Sequence, residues 1–262
     1  MYKIISLISF CILTLMVITS CSDKSTNPTT TKTYFPLKTG SWWTYENYSL
    51  DNTGKRKTET IYIDSIAVTG STLKLEKNAT VLTSFEKGVK TEDNYFYSDG
   101  QKYYAHSSFV QPDLSKTSFN FPINLDDQWL VIADFNSTEW SLTTKQISNA
   151  DFPVPGLGTA KINGTLTIKG QMGTTKVMTI EGVINNATAN EFKLIYSFSG
   201  KISIGILPFD LKFTVYAHNW YVENIGLVQS VTDPLKISIP NIYSVDIDGT
   251  EAYLLKANII PN

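Results

Sequence analysis

The chain has 262 residues, 22 Lys+Arg against 24 Asp+Glu, and a formal net charge of −2. That length allows one large domain or two modest ones; a hydrophobic content of 42% excludes wholesale disorder, and the near-neutral balance lacks the basic excess of a nucleic-acid binder. Two His and two Cys leave little material for metal or thiol chemistry, whereas 14 Tyr, 13 Phe and 5 Trp beside 18% charged residues favour strands over helices.

At the start, Lys3 supplies a positive charge and Ile4 to Ile18 form an apolar run of about 15 residues. That is the length of a signal-peptide core and short of the ~20 residues a membrane span needs. The run ends in Ile18-Thr19-Ser20-Cys21, which resembles the lipobox of bacterial lipoproteins. The resemblance implies that residues 1–20 are a signal peptide removed in front of Cys21, that the Cys21 thiol carries a diacylglycerol, and that the new N-terminus is acylated. Two or three acyl chains make a stable anchor, so the bilayer is the expected partner. Cleavage also removes Cys11, and a lipidated Cys21 forms no disulfide, so the exported domain must be held by its core alone. Residues 21–33 read as the lipidated N-terminus and a flexible tether, because SDKSTNPTTTKT holds no large apolar residue. Asp23 does not directly follow Cys21. By the sorting rule of enteric bacteria, that implies a lipid-anchored protein of the outer membrane.

Residues 34–262 read as one antiparallel β domain. Period-2 patterning and β-rich composition predict strands at Trp42–Leu50, Thr58–Val68, Ser71–Phe85, Asn94–Ser98, Gln101–Ser107, Gln128–Phe135 and Thr138–Gln146. Alternation is clearest from Ala160 to Lys169 and from Phe192 to Ile206; after Leu207-Pro208, Phe209 to Val215 oppose the second run in a hairpin. Further strands are expected at Lys176–Asn185, Leu227–Val231 and Ala252–Ile259, with Asp99-Gly100 and Asp248-Gly249 as tight turns and Gly70 as a breaker. Strands of such length twist and curl. The expected fold class is all-β: a single curved antiparallel sheet closing toward a half-barrel or barrel, with a β-sandwich as the alternative. The apolar segment Phe152, Val154 and Leu157, stiffened by Pro153 and Pro155, is expected to plug an open end or to form an exposed tip.

Tyr34-Phe35-Pro36-Leu37, Gly40, Trp43 and Tyr45 resemble the opening of many uncharacterised Gram-negative lipoproteins. Trp220-Tyr221-Val222, Asn224 and Ile225-Gly226-Leu227-Val228 resemble their closing pattern, with Gln229 in place of the usual basic residue. The resemblance implies a β-rich domain of unknown activity and brings no catalytic residues with it.

Chemistry-bearing motifs are sparse. There is no G-x-S-x-G, P-loop or H-E-x-x-H. His106 and His218 lie far apart with no Cys beside them, and Asp246, Asp248 and Glu251 fit a turn around Gly249 better than a calcium loop. The expectation is no catalytic residue, no metal and no cofactor. The sequence thus points to a non-catalytic envelope domain for binding or assembly, holding a lipid or other apolar ligand. The alternative is a module that binds a surface glycan or envelope protein through exposed aromatics such as Trp42, Tyr103 or Trp220.

Overall fold

The computed structural model describes residues 33–110, 125–154, 158–239 and 243–260; the expected signal peptide, Cys21 and nearly all of the expected tether lie outside them. In chain order the elements are β1 (Trp42–Leu50), β2 (Arg56–Lys74), β3 (Lys77–Glu86), β4 (Val89–Ser98), β5 (Lys102–His106), one helical turn α1 (Ser107–Val110) and β6 (Trp129–Asp134). There follow β7 (Glu139–Val154), β8 (Gly158–Ile180), β9 (Ile184–Ile204), β10 (Leu207–Val222), β11 (Gly226–Thr232), β12 (Leu235–Ile239), β13 (Tyr243–Ile247) and β14 (Gly249–Asn258).

One antiparallel sheet of 12 strands runs in the order β6-β5-β4-β3-β2-β1-β14-β11-β10-β9-β8-β7, and β12 pairs only with β13. The sheet is two meanders, β1–β6 and β7–β11, stitched together by β14 between β1 and β11. It curls into a nearly closed barrel rather than a sandwich. No ladder joins the two edge strands; instead the Trp140 indole of β7 donates to the Val131 carbonyl of β6 at 2.7 Å. Gly170 makes room for that indole, since a Cβ there would meet the Trp140 ring at 2.0 Å.

The alternation expected for the long strands sets the core. Ile162, Leu166 and Ile168 of β8, Phe192, Leu194, Tyr196 and Phe198 of β9, and Leu211 and Tyr221 of β10 are all buried in one cluster. One end of the curled sheet is filled by the β12–β13 hairpin, which contributes Ile237, Ile239 and Ile247. Phe152 and Val154 are buried there too, so this part of the apolar segment is a plug; residues 155–157 lie outside the description.

The other end is closed by the segment that precedes β1. Phe35 stacks on Tyr103 of β5 at 4.2 Å and on Tyr221 of β10 at 4.5 Å. Tyr34 stacks on Phe135 at 5.1 Å and accepts a hydrogen bond from Asn190 at 3.2 Å. The Trp43 indole donates to the Ile225 carbonyl at 2.6 Å, the Tyr45 hydroxyl to the Leu227 carbonyl at 2.9 Å, and the Asn224 amide to the Thr33 carbonyl at 2.7 Å. Gly226 sits at φ 99°, where a side chain is strained, and a Cβ there would stand 3.3 Å from both Pro36 and Trp43. The opening and closing sequence patterns are therefore two halves of one packing unit.

Several boundaries differ from expectation. β2 runs through Gly70 as a bulge and turns at Leu75-Glu76, with φ values of 43° and 60°. Such a turn usually carries Gly or Asn; each L-residue with a larger side chain costs about 1 kcal/mol or more there, so sequence signals miss it. The strand expected at Lys176–Asn185 is instead the end of β8, a turn and the start of β9. The β12–β13 hairpin lies outside the set of expected strands. Gly249 serves a close crossing rather than a hairpin turn, because a Cβ there would lie 2.4 Å from the Thr232 carbonyl. Among the described residues, no helix is long and apolar enough to cross a membrane.

Filling the Gly170 site should displace Trp140 and loosen the seam. Gly170→Ala is expected to lower stability by about 1–3 kcal/mol, read as a fall in the urea midpoint; an unchanged midpoint would show that Trp140 does not hold the edges together.

Candidate functional site

Strands β4 to β6 turn Phe96, Tyr103, Ala105, Leu130 and Ile132 into the core. Their sequence neighbours Tyr95, Tyr97, Tyr104, His106 and Trp129 consequently share the outer face. Tyr97 and Tyr104 are cross-strand partners whose rings stack 4.3 Å apart and 3° from parallel. Trp129 meets Tyr97 edge-on at 4.8 Å, His106 meets Trp129 at 5.8 Å, and Tyr95 meets His106 at 5.9 Å. Ammonium groups stand over two of these rings: Lys74 lies 5.3 Å from the Tyr95 centroid and Lys77 5.7 Å from that of Tyr97. Carboxylates rim the row, with Asp99 accepting from the Tyr104 hydroxyl at 3.0 Å and Asp127 bonded to His106 Nε2. Burial, reinforced by Asp99, pushes the Tyr104 phenol up to about 12, so it remains a donor at neutral pH. The Trp129 indole N–H is buried without a partner in the described structure. The tyrosines and Trp129 are each partly exposed. They form a rigid aromatic surface with polar edges, the kind that stacks on a sugar ring or a partner side chain at low entropic cost.

A second group crosses the outer face of the other meander. Glu191 of β9 stands opposite a bulge in β8, where Gly173 leaves space for its carboxylate. The carboxylate accepts from the Thr174 amide at 2.8 Å and pairs with His218 Nδ1 at 2.5 Å. His218 Nε2 faces Asp233 at 3.5 Å, so both ring nitrogens are engaged by carboxylates. The Lys176 ammonium sits 3.5 Å from the Trp220 ring centroid and bonds the Gln229 amide oxygen. Gln229 donates to Glu251 at 2.6 Å, and Arg56 grips Glu251 with two bonds of 2.7 Å. Burial holds the Lys176 ammonium below the usual lysine range. Burial would raise Glu191, but hydrogen bonds from Thr174 and His218 overcome it and hold the carboxyl low. The Arg56 guanidinium, opposed by burial and helped by Gln229, holds Glu251 low as well. Each charge in this band answers another charge or amide, which suits a strap between strands β2, β8, β9, β10, β11 and β14.

The residues singled out from sequence fare differently. Trp42 is exposed at the start of β1. Trp220 is the floor beneath Lys176 in the charged band. Tyr103 is a correction: it is buried against Phe35 and offers no surface. Tyr104 beside it has the outer orientation, because a step of one residue along a strand changes face. His106 is buried in the aromatic row. The signal that could have found the row is the shared parity of Tyr95 and Tyr97, opposite to Phe96. Asp248 pairs with Lys57 at 2.6 Å and Glu251 with Arg56, so these carboxylates serve separate ion pairs. Among the described residues, no cluster of His, Cys, Asp and Glu is arranged to hold a metal ion. A shallow groove on β8 to β10 is lined by Thr165, Thr167, Ser197, Ser199, Lys212 and Thr214.

No protein-family model and no curated protein matches the chain. Among solved structures it is similar to a candidate lipoprotein from Parabacteroides distasonis, at 13% identity and TM-score 0.45, over 87% of this chain and 99% of that one. It is also similar to a candidate exported protein with a YmcC-like fold from Bacteroides fragilis, at 12% identity and TM-score 0.37, over 87% and 99% of the two chains.

The depressed carboxyls give the fold a pH dependence of definite sign. Glu191 and Glu251 stay ionised in the folded chain at pH values where the unfolded chain already binds protons. Their contribution is thus complete above the unfolded value of about 4.3 and is lost as pH falls through the lower folded values. Urea midpoints should drop as pH falls from about 6 to about 3, and Glu251→Gln should flatten that slope. An equal slope in the variant would show that the Arg56 pair does not contribute to acid sensitivity.

Proposed function

We propose that this chain is a lipoprotein of the bacterial outer membrane, held by acylated Cys21, whose β domain binds an envelope glycan through Tyr95, Tyr97, Tyr104 and Trp129. The anchor rests on the Ile18-Thr19-Ser20-Cys21 pattern behind the apolar run. The binding reading rests on the contiguous aromatic row, whose rings are partly exposed, with Lys74 and Lys77 over Tyr95 and Tyr97 and with Asp99 and Asp127 at its edges. Flat rings stack on the C–H faces of sugars, and the charged rim offers hydrogen bonds to their hydroxyls. The interior gives the lipid-holding reading no such support. It is filled from Phe152 at one end to Phe35 at the other by side chains that pack on one another. The chemistry of the domain is accordingly recognition on an outer wall. His218, the histidine best supplied with carboxylates, has both nitrogens committed to them.

Calorimetric titration of the acylated protein in detergent with outer-membrane polysaccharide and peptidoglycan fragments tests this. Saturable binding is expected, weakened by Tyr97→Ala or Trp129→Ala by about 1–2 kcal/mol, or roughly 5- to 30-fold in Kd, and unchanged by Trp42→Ala. Binding that survives both row substitutions, or no glycan binding at all, would contradict it.

A further inference from the structure

We infer that the β2–β3 turn is a second membrane contact, dipping Leu73 and Leu75 into the phospholipid surface that holds Cys21. This rests on the lipid-anchor reading above. The Gly40 amide bonds the Val68 carbonyl at 2.9 Å, and the Val68 amide bonds the Ser41 carbonyl at 2.8 Å. Val68 is therefore level with the point where the chain enters the domain. β1 begins at Trp42, so from Val68 onward β2 has no β1 beside it and pairs only with β3. The hairpin thus runs past β1 at the end where the segment from Cys21 joins the domain. Cys21 and Thr33 are about 12 residues apart, a reach of at most ~40 Å, which keeps this end of the domain within touching distance of the bilayer.

The side chains at the tip are the wrong ones for water. Leu73 has the core-facing parity of Leu82 yet is 77% exposed, and β1 pairs with β2 only as far as Ala67. Leu75 is 40% exposed and sits at φ 43°, a left-handed conformation that Gly or Asn would adopt more readily. Strain retained at an exposed apolar turn points to a role for the side chain itself. Lys74 and Lys77 outweigh Glu76 and stand over Tyr95 and Tyr97. Lysines and tyrosines bordering an apolar tip match the headgroup zone of an anionic bilayer, where ammonium groups meet phosphate and amphipathic rings settle.

Acylation blocks the Cys21 thiol of the mature chain, so one introduced cysteine can be labelled alone. The acylated protein carries an environment-sensitive NBD probe at Leu75→Cys or, to spare the strained position, at Leu73→Cys. Val89→Cys, at the start of β4 beside the β3–β4 turn at the other end of the strands, is the reference. Vesicles are phosphatidylethanolamine with phosphatidylglycerol. The expected result is blue-shifted emission at 73 and 75, quenched at least about twofold by a shallow lipid-borne nitroxide, with water-like, unquenched emission at 89. Water-like emission at 73 and 75 in protein whose intact mass shows the acyl chains overturns the inference and leaves the anchor standing. Blue-shifted emission that needs no vesicles overturns it too, by showing a protein occupant. An intact mass without acyl chains overturns the anchor reading and this inference with it.

Discussion

Phe35, wedged between Tyr103 of β5 and Tyr221 of β10, joins strands that the sheet itself keeps far apart. Along the hydrogen-bonded order, β5 and β10 are separated by β4, β3, β2, β1, β14 and β11. Across the interior they are one phenyl ring apart. The meanders also meet through β14 on one side, through the Trp140 indole on the other, and across the interior where Phe135 packs on Phe192 at 5.1 Å and the Tyr196 hydroxyl donates to the Val110 carbonyl at 3.0 Å. The aromatic lead-in segment is thus the contact that ties β5 to β10 directly and helps turn a curled sheet into a closed body. The bond from Trp43 to Ile225 and the close fit of Gly226 against Pro36 and Trp43 fix that segment in place. The likeness at the two sequence ends is, in physical terms, this single joint.

Function follows from where the joint leaves accessible surface. With one end occupied by Tyr34 and Phe35 and the other by Phe152, Ile237 and Ile239, the interior is committed to stability. That is what a domain without disulfides requires. Accessible surface is then left to the outer walls, and the two meanders differ there. On β8 to β14 the charges are internally paired, from His218 and Glu191 through Lys176 and Gln229 to Glu251 and Arg56. Such a band strengthens a fold but offers a ligand few free groups. On β4 to β6 the rings of Tyr95, Tyr97, Tyr104 and Trp129 form a row, Tyr97 stacked on Tyr104 and Trp129 edge-on to Tyr97, and remain partly exposed. That wall has contact area left to give.

The fold class was legible because parity is unambiguous in β8, β9 and β10, where apolar and polar residues alternate over many positions. Boundaries were legible only where turn chemistry was ordinary. Asp99-Gly100 was found, whereas Leu75-Glu76, an apolar and an acidic residue at positive φ, carries no turn signal. Gly70 and Gly249 misled for the same reason: glycine there serves a bulge and a chain crossing, not a reversal. The aromatic row was half legible. Tyr103 and Tyr104 are adjacent, and a single sequence does not say which one faces water until the register of β4 against β5 is known. The charged band was illegible, because it gathers side chains from six strands whose spatial order departs from their sequence order.

Native-state hydrogen exchange on the intact domain tests most directly whether the aromatic lead-in segment welds the meanders. In the wild-type chain, the slowest amides of β5 and β10 should open with the same free energy, that of global unfolding. In Phe35→Ala the β5 amides should open at a lower free energy than those of β10. If β5 already opens independently in the wild-type chain, or if the two strands remain matched without the phenyl ring, the joint is elsewhere and the account of this fold is wrong.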